Sequence, residues 1–169
     1  MTMAACVFER TRPQAYESRM SEANRVTDNT DDYVNQRIEN ATRRRIRHAG
    51  GETLAQISRR IEALEQEWDI ERILETNASA LAFGGLFLGL FHNRKFLWIP
   101  ALVLPFLFQH AVQGWCPPVP LLRRRGVRTR REIDAEKFAL KALRGDFRDV
   151  LANSDPLERA RAAWNAAHE

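Results

Sequence analysis

The chain keeps its apolar residues apart from its charges, and that segregation limits its fold more than any other feature. From Thr76 to Asn93 there is no Asp, Glu, Lys or Arg, and from Phe96 to Leu122 there is none again. The short polar turn His92-Asn93-Arg94-Lys95 joins the two runs. At ~1.5 Å rise per residue the first run covers roughly 27 Å, close to the ~30 Å hydrocarbon core of a bilayer. A soluble chain spreads its apolar residues at helix or strand period along its whole length. The mean hydropathy of −0.44 hides the pattern, because charged flanks cancel an apolar centre.

The competing fold is a soluble bundle with two apolar core helices. It has to bury Phe83, Leu86, Phe87, Leu88, Leu90 and Phe91 with nothing polar on the opposite face. A helix apolar all round needs a large protein or a bilayer around it. With 169 residues the bilayer is the better answer. The expected fold is all-α: a two-helix transmembrane hairpin with helical cytoplasmic N- and C-terminal extensions. Residues 1–29 read as a disordered tail, having few apolar residues and no periodicity. Residues 30–72 read as a helical cytoplasmic region and 73–122 as the hairpin, with spans at about 74–92 and 96–115. Residues 123–169 read as a basic juxtamembrane segment followed by C-terminal cytoplasmic helices.

The flanks carry helix signals and no alternating strand pattern. Thr30 precedes Asp31 and Asp32, an N-cap followed by first-turn acids, and a weak amphipathic helix then runs to Gly50-Gly51. Leu54, Ile57, Ile61, Leu64 and Trp68 form an apolar seam at helical spacing, predicted to pack on that first helix or on a second copy of the chain. Thr129-Arg130-Arg131-Glu132 is a capping-box pattern ahead of Ile133, Leu140, Leu143 and Phe147, with Gly145 as C-cap. Asp155-Pro156 opens a last short helix.

Orientation follows from Lys and Arg near the span ends. Met1 to Pro13 holds no apolar run of the signal-peptide kind, so the N-terminus is expected to stay inside. The turn offers Arg94 and Lys95. The flanks offer Arg59, Arg60 and Arg72 on one side and Arg123, Arg124, Arg125, Arg128, Arg130 and Arg131 on the other. Both termini are therefore expected in the cytoplasm of a bacterium, with the chain multi-pass in the inner membrane. The six-arginine cluster starts where the apolar block ends, as a membrane anchor on anionic headgroups does. That placement argues against nucleic acid as the partner, despite a net charge of +4. The acids Glu65, Glu67, Asp69, Glu71 and Glu75 are available to pair with the cluster. Two cysteines, Cys6 and Cys116, make no disulfide framework and suit a reducing compartment.

Within the first span Ala78, Ala82, Gly85 and Gly89 form a stripe of small residues on one face, with Gly85 and Gly89 four apart. Small side chains let a second backbone approach, here the other span or another subunit, and the first is favoured. Pro100 and Pro105 are expected to kink the second span, and Pro117, Pro118 and Pro120 to end it. Gln109, His110 and Gln113 sit in its last turns, where hydrogen bonding to the first span or to headgroups is the expected role. Cys116 lies near the arginine cluster, which would lower a thiol pKa. No second thiol or acid/base set accompanies it, and His110 is six residues away, off its face on a continuous helix. No catalytic, cofactor or metal motif is present, so none is expected.

Gly114-Trp115-Cys116-Pro117, then Leu121-Leu122, Gly126-Val127 and Thr129, after two glycine-bearing apolar segments, resemble the YgaP-like transmembrane family (domain of unknown function 2892). The resemblance covers roughly Ile70 to Thr129 and looks like a longer proteobacterial version without a rhodanese domain. It implies a short two-helix hairpin ending in a Gly-x-Cys-Pro turn. The chain reads as a small inner-membrane protein, non-enzymatic, acting as an anchor, assembly or scaffold component with a second copy or another membrane protein as partner. The alternative is a thiol-based redox or sulfur-handling membrane protein using Cys116.

Overall fold

In the computed structural model residues 25–152 and 154–168 are described, and every regular element among them is helical. The order is α1 (Arg25–Asp28), α2 (Asp32–Ala49), α3 (Leu54–Gln66), α4 (Ile70–Phe91), a 3₁₀ turn (Arg94–Leu97), α5 (Trp98–Gln113), α6 (Pro118–Arg124), α7 (Arg130–Arg144), α8 (Arg148–Ala152) and α9 (Pro156–His168). Most of the tail expected to be disordered, residues 1–24 with Cys6, lies outside the described residues. Its last part corrects the expectation: Arg25–Asp28 is helical and buries Val26.

Local chemistry sets most helix starts. Thr53 and Gln56 close a capping box over α3, and Thr129 and Glu132 close another over α7. The Asp69 carboxylate accepts from the Arg72 amide at 2.8 Å at the start of α4. Thr30 is not the cap of α2. Asp31 holds that position, and the Thr30 hydroxyl instead donates to the Val26 carbonyl at 2.6 Å. Gly145, at φ 97°, ends α7 in the left-handed region that an L side chain resists.

Two clusters organise the packing. In the first, Ile57, Ile61 and Leu64 of α3 meet Ile133 and Leu140 of α7 and Ala49 of α2. The α3 seam thus buries mainly on α7, which the chain supplies only after both apolar helices have passed. Its two ends, Leu54 and Trp68, stay exposed, and the Arg72 guanidinium covers the Trp68 ring at 4.4 Å. In the second cluster Val26, Ile70, Leu74, Cys116 and Val119 meet, with Phe106, Leu122 and Val127 against them. It ties α1 and α6 to the point where α4 and α5 begin and end.

Helices α4 and α5 pack side by side through the 3₁₀ turn, where the Asn93 side chain accepts from the Lys95 amide at 2.9 Å. Both are long and apolar enough to cross a membrane. The later prolines act differently from the expectation, since they do not end the second apolar helix. Pro100 falls in the first turn of α5, where an amide has no intrahelical partner to lose. α5 continues through Pro105. Gly114, at φ 74°, ends it with a 2.7 Å bond from its amide to the His110 carbonyl, before any of the later prolines is reached. Pro118 and Pro120 then sit inside α6, Pro118 at its first position, so they start a helix and do not stop one.

Candidate functional site

The surface of the α4–α5 pair is the molecule's largest chemical anomaly. In the most apolar stretch of each helix only 17% and 6% of the residues are buried. Phe83, Leu90, Phe91, Trp98, Leu102 and Phe108 all stand exposed. Core helices of a soluble protein pass the same test of length and composition, but they are buried. These are not.

Inside the pair, contact runs along the small stripe. Gly85 and Gly89 are buried and Ala78 and Ala82 are half-buried, while the large residues between them point outward. A methyl group on Gly85 would come within 2.6 Å of Pro100 Cδ and 2.8 Å of Ile99 Cβ. One on Gly89 would come within 2.7 Å of Leu97 Cγ. Gly84, one residue off the stripe, has nothing within 4 Å of such a methyl. The stripe therefore faces the second helix of the same chain.

At the other end, Gly114, Trp115, Cys116 and Pro117 form the turn. Gly114 is buried, Trp115 half-buried and Pro117 exposed. Besides its left-handed φ, Gly114 must lack a side chain because a Cβ there would lie 2.7 Å from the Arg25 carbonyl carbon. That close approach brings α1 over the end of α5. Arg25 donates to the Ala111 carbonyl, and Asn29 Nδ2 to the Gln113 carbonyl at 3.0 Å. Both satisfy carbonyls that the helix end leaves open, and the cation complements its dipole. Gln109 bonds Gln113 at 3.3 Å along α5 itself, and not the first apolar helix.

Cys116 packs among Val26, Ile70, Leu74 and Val119. Burial pushes its thiol up from the ordinary value, the opposite of what the arginine cluster was expected to do. Because Gly114 turns the chain, Cys116 and His110 line one apolar cavity of about 420 Å³ between α4 and α5. Separation on a continuous helix does not apply to them. Among the described residues no group of three or more His, Cys, Asp or Glu is placed to hold a metal ion.

The six arginines divide. Arg124, Arg125, Arg130 and Arg131 are exposed. Arg123 and Arg128 are not, which corrects the picture of six headgroup anchors. Arg123 is 0% exposed and donates to both Glu132 carboxylate oxygens, at 2.7 and 2.8 Å, and to Asn35 Oδ1 at 2.8 Å. Arg128 donates to both Glu67 oxygens, at 2.8 and 2.5 Å, and to the fully buried Glu136. Arg45 and Arg60 reach the same Glu136 from α2 and α3, at 3.0 and 2.8 Å. Two buried guanidinium groups cannot meet a bilayer, because their fixed geometry is already spent on carboxylates.

Glu136 is the centre of this network, and sequence reasoning passed over it. The signal was available: Glu136 stands three residues after Ile133 and four before Leu140, an acid on the apolar stripe of α7. Only a paired cation makes that placement tolerable. Burial alone would raise the Glu136 and Glu132 carboxyls. The guanidinium groups of Arg60 and Arg128, and of Arg123, override it and hold both below the usual glutamate range. Lys141, also fully buried, donates to the Ala166 and Ala167 carbonyls at 3.2 Å and so closes the end of α9.

The chain matches no protein-family model, no curated protein and no solved structure.

Proposed function

We propose that this chain is a small integral membrane protein that crosses the bilayer twice, as a hairpin with spans at about 74–92 and 96–115, and holds a helical bundle against the cytoplasmic face of a bacterial inner membrane. Its work is that of an anchor or assembly component without catalysis of its own. The YgaP-like resemblance of the Gly114–Pro117 turn belongs to the same proposal.

The observation that carries it is the exposed apolar surface of α4 and α5. At roughly 25 cal/mol per Å² of apolar area, leaving that surface in water is strongly unfavourable, and a bilayer removes the cost. The flanks supply a second support. The Ile70 amide, at the first residue of α4, donates to the Arg128 carbonyl, beyond α5, at 2.9 Å. Glu65 pairs with Lys137 at 2.9 Å across the same two segments. Flanks bonded to each other lie on one side of a membrane, which requires an even number of crossings. The arginine bias then assigns that side to the cytoplasm.

The test is extraction of native membranes. The protein stays with the membrane in high salt and alkaline carbonate, and dissolves only in detergent. Release by carbonate makes it peripheral and removes the proposal.

A further inference from the structure

The arginines that remain after the internal ion pairs are formed converge on one cleft. It has a volume of about 480 Å³ and lies between α2, the end of α3 and the loop after α6. Its floor is the paired network: Arg45, Arg60 and Arg128, three cations on the two carboxylates of Glu136 and Glu67. Its rim is Arg37, Arg124 and Arg125. Arg37 spends its one direct bond on the Arg124 carbonyl, which carries no net charge. Arg124 has an acid, Asp31, only at 3.6 Å, with both side chains largely in solvent. The Arg125 side chain makes no hydrogen bond or ion pair to the described residues. Six guanidinium groups thus meet three carboxylates around an opening.

Such a rim has an electrostatic cost, because three like charges are gathered at short range against one largely solvated acid, Asp31. An anion with several acceptor oxygens turns the cost into a gain. Guanidinium forks match phosphate oxygens two at a time, whereas a single carboxylate would leave most of their donors unused. We infer that this cleft is a binding site for a phosphate group, held by Arg37, Arg124 and Arg125. The group comes from a soluble phosphate compound or from the headgroup of an anionic phospholipid. The site itself does not depend on the membrane proposal; only the lipid source does. It also replaces the idea of a diffuse six-arginine anchor with three residues, one of which, Arg37, lies far from the cluster in sequence.

The test uses the full chain in an uncharged sugar detergent, with thermal unfolding and calorimetry as readouts. Two probes are titrated separately: inorganic pyrophosphate, and short-chain phosphatidylglycerol against its zwitterionic phosphatidylcholine counterpart. Saturable binding of pyrophosphate identifies the soluble source. Saturable binding of phosphatidylglycerol alone, beyond that of phosphatidylcholine, identifies the lipid. Either result supports the site, provided that R125Q weakens it by about tenfold or more, the scale of one lost charge-assisted bond, and that R37Q/R125Q abolishes it. R130Q, at an exposed arginine outside the cleft that pairs with Asp134, leaves it unchanged. The single R125Q variant, which breaks no internal bond, keeps the test valid if the double variant unfolds. Absence of saturable binding by both probes overturns the inference. So does binding that R125Q leaves intact, or that R130Q reduces as much as R125Q does, since that is response to bulk charge.

Discussion

Arg128 and Glu67 are paired through both carboxylate oxygens although 61 residues separate them, and both apolar helices lie within that interval. The pair closes the bundle around the base of the α4–α5 unit. Arg128 uses its remaining nitrogen, Nη1, on Glu136, which is buried beneath Arg45 and Arg60. One network therefore joins α2, α3, α7 and the loop before α7, and it fixes where α4 begins.

Removing the centre of that network destabilises the bundle. In E136Q the amide keeps the shape of the carboxylate but leaves Arg128 buried with one charge partner fewer. Breaking a buried pair from one side costs about 3–5 kcal/mol. The thermal midpoint in detergent falls well below that of the parent protein. E39Q, which removes the exposed pair of Glu39 with Arg43, shifts it little, since exposed pairs contribute ~0–1 kcal/mol. Equal midpoints for E136Q and E39Q would show that the network is not stabilising.

Stability falls in acid, with a definite sign. Glu132 and Glu136 have folded-state pKa values below the ordinary 4.5. Groups lowered on folding contribute fully above the unfolded value and lose the contribution as pH falls through the folded one. Glu65, bonded to Lys137, is lowered too, and Glu71, raised by burial, acts in the opposite sense as one group against three. Midpoints therefore drop as the pH falls below about 4.5. E136Q flattens the drop, because one of the three lowered groups no longer titrates. An unchanged profile in E136Q removes Glu136 from the acid response.

Small residues in α4 are separable by position. Leucine at Gly85 or Gly89 meets Pro100, Ile99 or Leu97 at once, and overpacking costs typically ~1–3 kcal/mol. G85L and G89L lower accumulation and thermal midpoint, whereas G84L is tolerated because its side chain enters open space. Comparable effects at all three positions would mean that α4 and α5 do not meet along the stripe.

The turn after α5 depends on its glycine more than on its cysteine. G114A adds a side chain at positive φ, where an L residue is strained by roughly 1–2 kcal/mol, and drives it into the backbone of α1. C116A removes one buried sulfur and leaves the fold intact. G114A therefore lowers the midpoint further than C116A does, and thiol reagents modify Cys116 slowly in the folded protein. Rapid modification at neutral pH would return the redox reading to first place.

The apolar pair, its small stripe and the capping boxes at Thr129 were legible because each is a local pattern written in consecutive turns. The α7 partner of the α3 seam was not, since nothing near Leu54–Gln66 encodes a contact made beyond both apolar helices. The end of α5 was misassigned to prolines because Gly114 terminates the helix through φ alone, and a glycine next to three prolines is easily overlooked. The arginine run was read as one surface. Separating Arg123 and Arg128 from the rest required their partners Glu132, Glu67 and Glu136, of which Glu136 was detectable as an acid at an apolar stripe position.

The most direct test is the side of the membrane reached by three points of the chain. Cys6 and Cys116 are replaced by alanine, and single cysteines are placed at Glu62, Asn93 and Arg159. Right-side-out vesicles are then treated with an impermeant thiol reagent. A hairpin labels N93C from outside and leaves E62C and R159C unlabelled until the membrane is opened. Labelling that places E62C and R159C on opposite sides, or N93C on the same side as both, contradicts it.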